Sequence, residues 1–221
     1  MPFSLEQFLH DYDTGIFPVK IGDRELRFLK PRTIDRFINP DDPMAGFPMW
    51  VKFWEASVVL TNYMAGLPAD ARRRILELGS GLGVAGIAAA VMGHRITLTE
   101  HNPDALNFLQ ANASLNGCDD ITIRHLDWFQ PDLEGRYDLI IGSDIVYQES
   151  VVNALKALFE QYLAPGGRVV LAGQARTTET LFFERLSSSF HIRASKHTLH
   201  SADKTTTVIL FELKDRYFST G

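Results

Sequence analysis

A short apolar run that ends in closely spaced glycines and passes straight into an alanine-rich stretch constrains this chain more than any other feature. Residues 74–79 read as a buried strand, Gly79, Gly81 and Gly83 as a turn, and residues 83–92 as a helix closed by Gly93. A strand that gives way at once to a helix cannot pair with its successor as a hairpin, so the unit demands a parallel sheet. The alternation continues with a strand at 95–100, a helix from Pro103 to the stop at Asn116-Gly117, and strands at 121–126 and 136–143. An amphipathic helix at 149–163, a turn at Pro165-Gly166-Gly167, a strand at 168–173 and a helix at 177–188 follow. The last two β-rich segments, 189–198 and 205–213, leave no room for a helix between them and imply an antiparallel hairpin at the sheet edge. The expected architecture is α/β: a Rossmann-like, seven-stranded sheet whose last strand runs antiparallel.

Residues 1–68 are of a different kind and read as an N-terminal extension packed on a catalytic domain at 69–221. Residues 16–29 suit a hairpin with Gly22-Asp23 at its turn, 31–48 is a Pro-, Asp- and Asn-rich loop, and Trp50 to Gly66 reads as helical. With 45% apolar and 22% charged residues, 221 residues can bury a substantial core.

Charge and cysteine usage weigh against several classes of function. The net charge is −5, and the only short basic run is Arg72-Arg73-Arg74, which argues against a nucleic-acid partner. Cys118 stands alone and the seven histidines show no ligand spacing, so neither a disulfide nor a metal site is expected. No apolar run suits a bilayer, and the first residues lack the basic start and apolar stretch of a signal peptide, so the chain is expected to be cytoplasmic.

Glycines at 79, 81 and 83 let the backbone approach a ligand closely, while the next helix offers unpaired N–H groups. Residues 81–86 alone also match the dinucleotide fingerprint Gly-x-Gly-x-x-Gly. The frame decides: Gly79 and Ser80 intervene after the strand, and Glu77 lies inside its end. An acid there suits the cationic amino group of S-adenosylmethionine (AdoMet), with the loop beside its methionine and ribose. Glu100 ends the second strand and can accept both ribose hydroxyls. Asp127 follows the third and can accept from the adenine amine, with Trp128 either covering the ring or filling the core. Three acids at three successive strand ends line the carboxyl edge, where open α/β sheets bind ligands. The fourth strand leaves through Ser143, Asp144 and Tyr147. Asp144 and Tyr147 emerge beside the expected position of the methyl group, where an amine nucleophile must be oriented and stripped of its proton.

Together, Glu77 to Gly83, Glu100, Leu126-Asp127-Trp128 and Asp144-Ile145-Val146-Tyr147 resemble the seven-β-strand protein-lysine methyltransferases known as methyltransferase family 16, over roughly residues 50–175. The resemblance implies AdoMet as cofactor and a lysine on a protein as acceptor. It also implies that Asp144 faces the lysine as part of an Asp-x-x-Tyr motif, and that Trp54 and its neighbours close over AdoMet. This chain departs from the commonest pattern in having Glu55 where many members have proline after the tryptophan. The Asn/Asp-Pro-Pro-aromatic motif of enzymes that methylate base and glutamine amines is absent. Small-molecule amine methylation and a non-catalytic AdoMet-binding module remain the alternatives; a dehydrogenase lacks a Tyr-x-x-x-Lys pair.

Overall fold

In the computed structural model, residues 3–38, 41, 47–146, 150–174, 177–200 and 204–216 are described, excepting the side chains of 177–181. Seven strands form one sheet: β3 (Ile75–Leu78), β4 (Ile96–Glu100), β5 (Thr122–His125), β6 (Tyr137–Ser143), β7 (Leu163–Gly173), β8 (Phe190–His200) and β9 (Thr205–Asp215). Their order is β5-β4-β3-β6-β7-β9-β8. The first five run parallel, and β9 inserts antiparallel to both β7 and β8. The sheet and its antiparallel insertion are those expected from the sequence.

Each face of the sheet is covered by helices, because residues along its central strands alternate between two apolar clusters. Ile75, Leu139, Ile141 and Val170 join the face covered by α2 (Glu55–Ala65), α3 (Val84–Val91) and α4 (Pro103–Leu115). Leu76, Leu78, Ile140, Val169 and Leu171 join the opposite face, under α5 (Ser150–Tyr162) and α6 (Thr177–Leu186). Strands buried on both faces explain the unbroken apolar runs in the sequence. The start of α4 is set locally. Pro103 occupies a position where its missing N–H costs nothing, and the Asn102 side chain accepts a hydrogen bond from the Ala105 N–H at 3.0 Å. Among the described residues no helix is long and apolar enough to cross a membrane.

The N-terminal hairpin forms as expected, with β1 (Thr14–Ile21) and β2 (Arg24–Pro31) in antiparallel register around Gly22. It is clipped to α4 by two asparagines one turn apart. The Asn112 amide accepts from the Leu29 N–H (2.6 Å) and donates to the Leu29 carbonyl (3.2 Å). The Asn116 amide repeats this with the N–H (3.1 Å) and carbonyl (2.8 Å) of Arg27. The two amides satisfy the free edge of β2 as a neighbouring strand would. Asn112 also donates to the Leu82 carbonyl at 2.9 Å, so one fully buried side chain ties the hairpin to the glycine loop. Asn112→Ala leaves three buried backbone groups unpaired and is expected to cost about 2–4 kcal/mol in urea unfolding, against roughly 1 kcal/mol for Asn116→Ala at the more exposed pair.

Three local differences from the sequence reading have physical causes. The helix expected from Trp50 begins only at Glu55, because Trp54 is extended (φ −97°, ψ 136°) and caps it, while Met49–Val51 form a single 3₁₀ turn. A helix at the start, α1 (Leu5–Asp11), lies where none was expected; the Ser4 side chain caps it by accepting from the Gln7 N–H at 3.3 Å. Strand β7 begins at Leu163, before the Pro165-Gly166-Gly167 turn, and the register shifts between Tyr137 and Leu139 to take up the extra residues.

Candidate active site

The glycine loop leaves β3 between the carboxyl ends of its two sheet neighbours, β4 and β6. Glu77 alternates onto the α3 face of the sheet, where its neighbours are apolar. Its carboxyl lies against α3 at Gly86, and a Cβ on Gly86 would overlap both the Glu77 carboxylate and Leu98. Here glycine is required by close approach, not by the backbone angle. Glu77 is 2% exposed. Burial pushes its carboxyl up to about 8, the nearby Glu100 adds to the rise, and the Ser80 side chain and Gly86 backbone pull against it. The Oε2 atom of Glu77 and the Oγ of Ser80 are both buried without a hydrogen bond of good geometry. Two adjacent polar groups left short of partners under a glycine turn suit a polar, cationic ligand group.

Glu100 sits at the other side of the loop. One carboxylate oxygen accepts from the Gly81 N–H (2.9 Å), and the other accepts from the N–H groups of His101 (2.8 Å) and Asn102 (3.0 Å). The side chain thus holds the loop to the start of α4, and lone pairs remain for hydroxyl donors. Asp127 makes a tight turn, its Oδ1 accepting from the Phe129 N–H at 2.8 Å. The Trp128 ring lies beside Gly79, within 3.3 Å of where a Cβ would stand. Ser80, Glu100 and Trp128 are therefore gathered at the glycine turn with Glu77 beside Ser80, and Asp127 directly precedes Trp128.

The segment before α2 meets the loop through Trp50, which the sequence pattern places at the start of a helix. The backbone of Trp50 lies 3.5 Å from the Cβ position of Gly81, and its ring packs on Phe37 and Phe108. Trp54 instead donates its indole N–H to the Met49 carbonyl (3.0 Å), with the Lys52 ammonium 3.9 Å from its ring centre. Glu55 takes the first helical position, where a proline would also be tolerated and an acid favours the helix dipole. It accepts from Lys204 Nζ (3.2 Å) and Thr206 Oγ1 (3.3 Å). Burial raises its carboxyl, but its own backbone N–H and Lys204 outweigh that and hold it low.

At the exit of β6, Ser143 lies opposite Ala172, and the Asp144 N–H donates to the Ala172 carbonyl at 2.8 Å. Asp144 has φ +51°, the only positive φ at a non-glycine among the described residues. That conformation costs energy for most side chains and least for Asp and Asn. It turns the carboxylate into the head of a narrow slot otherwise lined by apolar residues, including Ile145, Leu171, Phe183 and Phe211. Ile145 also reaches within 3.1 Å of the Gly79 Cβ position, so the slot and the glycine loop share a wall. Tyr147 lies outside the described residues. Among the described residues no group of three or more His, Cys, Asp or Glu could hold a metal ion.

A family model described as lysine methyltransferase matches residues 48–189. The chain is 40% identical over 126 residues to a protein N-lysine methyltransferase METTL21A of Danio rerio, covering 53% of this chain and 57% of that protein. It is 31% identical over 173 residues to EEF1A lysine methyltransferase 3 of Mus musculus, covering 75% of this chain and 72% of the relative. The matched region thus spans little more than half of the first relative's length. Among solved structures, a SAM-dependent methyltransferase from Agrobacterium tumefaciens superposes with a TM-score of 0.62 at 16% identity, covering 90% of this chain and 70% of that one. At that identity the likeness concerns the fold.

Proposed function

We propose, since the chain belongs to the lysine methyltransferase family, that it transfers the methyl group of AdoMet to a lysine side chain on a protein. The observation that carries this reading is Asp144, a buried carboxylate at the one positive φ found on a non-glycine among the described residues, at the head of an apolar slot beside the glycine loop. Strained residues persist where the surrounding structure over-determines them, and they cluster at functional sites.

The residues fit AdoMet on the strength of the under-bonded Glu77 and Ser80 atoms beneath the loop. Glu77 would meet the amino group; Gly79, Ser80, Gly81 and Gly83 would border the methionine and ribose. Glu100 would take the ribose hydroxyls, Asp127 the adenine amine and Trp128 a ring face. Ser143 would lie near the sulfur end, and Trp54 with its neighbours would form the cover. When bound, AdoMet supplies a methyl group whose carbon accepts the nitrogen lone pair as the carbon–sulfur pair departs with sulfur. Asp144 and Tyr147 would orient the nitrogen. A lysine with an ordinary pKa near 10.4 must first lose a proton, and the apolar slot favours the neutral amine while Asp144 fixes its direction. Residues 1–68 would serve as an extension packed on the domain at 69–221. A single free cysteine suits a reducing, cytoplasmic setting.

Two measurements test the proposal. The melting temperature is expected to rise with AdoMet or S-adenosylhomocysteine and not with NAD or NADP. With labelled AdoMet and a cell lysate, label is expected in protein, as methyllysine. Stabilisation by the nucleotides alone, or label confined to small metabolites, would overturn it.

A further inference from the structure

The slot at Asp144 has a wall that no strand exit supplies. Phe183 comes from α6 and Phe211 from β9, and their rings stack with centroids 3.8 Å apart and planes 27° from parallel. Phe211 stands in register between Leu171 of β7 and Ala194 of β8. It reaches the slot only because β9 inserts beside β7. The slot has about 10 Å³ of free volume, near the least that a single water needs. Its other walls are Ile145 and Val146 after β6 and Leu171 to Gly173 of β7, close-packed parts of the sheet edge. Both rings are only half-buried, so this pair is the wall that can give.

We propose that the stacked Phe183–Phe211 pair sets how many methyl groups one lysine receives; this rests on the lysine reading given above. Each transfer after the first requires the methylated nitrogen to release a proton to solvent and to turn about its bond to the side-chain carbon. Its new methyl must then find room while the next lone pair faces the donor. Beside Asp144 that room is bounded by the two rings. Shrinking one ring opens space for the methyl already present, and enlarging it closes that space. The side chains nearest the Cβ positions of Gly79, Gly81 and Gly83 are Ile145, Trp128, Trp50, Leu109 and Ile87 and not the two rings, so the effect is expected on successive transfers and not on cofactor affinity.

The test compares Phe183→Ala with Phe183→Trp, using labelled AdoMet, a cell lysate as acceptor and amino-acid analysis of the hydrolysed protein. The ratio of di- plus trimethyllysine to monomethyllysine is expected to be about tenfold higher in the alanine variant, the scale on which a pocket senses one methylene. AdoMet affinity, read by calorimetry, is expected to match the unsubstituted protein in both. A purely structural role for the ring would lower both affinity and total label and leave the ratio alone. Equal ratios in the two variants overturn the inference while leaving lysine methylation intact. Label absent from lysine in the unsubstituted protein overturns the lysine reading itself.

Discussion

Asp144→Asn is expected to bind AdoMet with unchanged affinity and to lose methyl transfer by about 10²–10⁴-fold, the range associated with one positioned acid–base group. The choice of asparagine matters. At φ +51° asparagine is tolerated as well as aspartate, so the turn out of β6 survives and only the charge is removed. Alanine removes the same charge but adds backbone strain of about 1–2 kcal/mol, which mixes a folding defect with a chemical one. Glycine separates the two, because it relieves the strain and also lacks the carboxylate. Calorimetry with AdoMet and single-turnover transfer of label to lysate protein read the two quantities independently. The outcome that sinks the role is an asparagine variant that transfers at the original rate. A glycine variant as inactive as the asparagine one, and at least as stable as the alanine one, assigns the loss to the missing carboxylate.

Much of this arrangement was legible in the sequence because it is local. Glu77, Glu100 and Asp127 lie at or just beyond strand ends that the apolar runs mark, and in a parallel sheet those ends share one edge. The order of elements followed from strands too buried to alternate and from stops such as Gly93 and Gly117. What stayed hidden depends on long-range packing. Trp50 sits in a run whose composition suits a helix, yet it lies in a single 3₁₀ turn ahead of α2, in contact with Gly81, Phe37 and Phe108. Phe183 and Phe211 meet only because β9 enters between β7 and β8, a register that no local pattern specifies. The α1 helix is the opposite case. Leu5, Phe8 and Leu9 have helical spacing and Ser4 is a good cap, but seven residues give a weak periodic signal. Gly86 was visible only as part of a fingerprint, although its reason is the carboxylate pressed against it.

That carboxylate leads to the other large effect. Burial pushes the Glu77 carboxyl up to about 8 in the folded protein, against the ordinary value near 4.5 in the unfolded chain. Between those values the folded state holds a proton that the unfolded chain has released. Stability therefore falls as pH rises from about 4.5 to about 8, and above that the full penalty for burying the charge is present, on the order of 3–5 kcal/mol. Glutamine has the shape of the protonated acid and cannot ionise. Glu77→Gln is thus expected to match the unsubstituted protein near pH 5 and to exceed its stability at pH 8 by a few kcal/mol, read from urea midpoints without ligand. The same substitution is expected to weaken AdoMet binding by about 10–100-fold, since a charge-assisted bond to the amino group becomes a neutral one. A variant that gains stability while losing affinity identifies a residue whose buried charge serves the ligand at the expense of the fold. A urea stability that declines just as steeply with pH in the glutamine variant would remove Glu77 as the cause, and undiminished affinity would remove it from the AdoMet site.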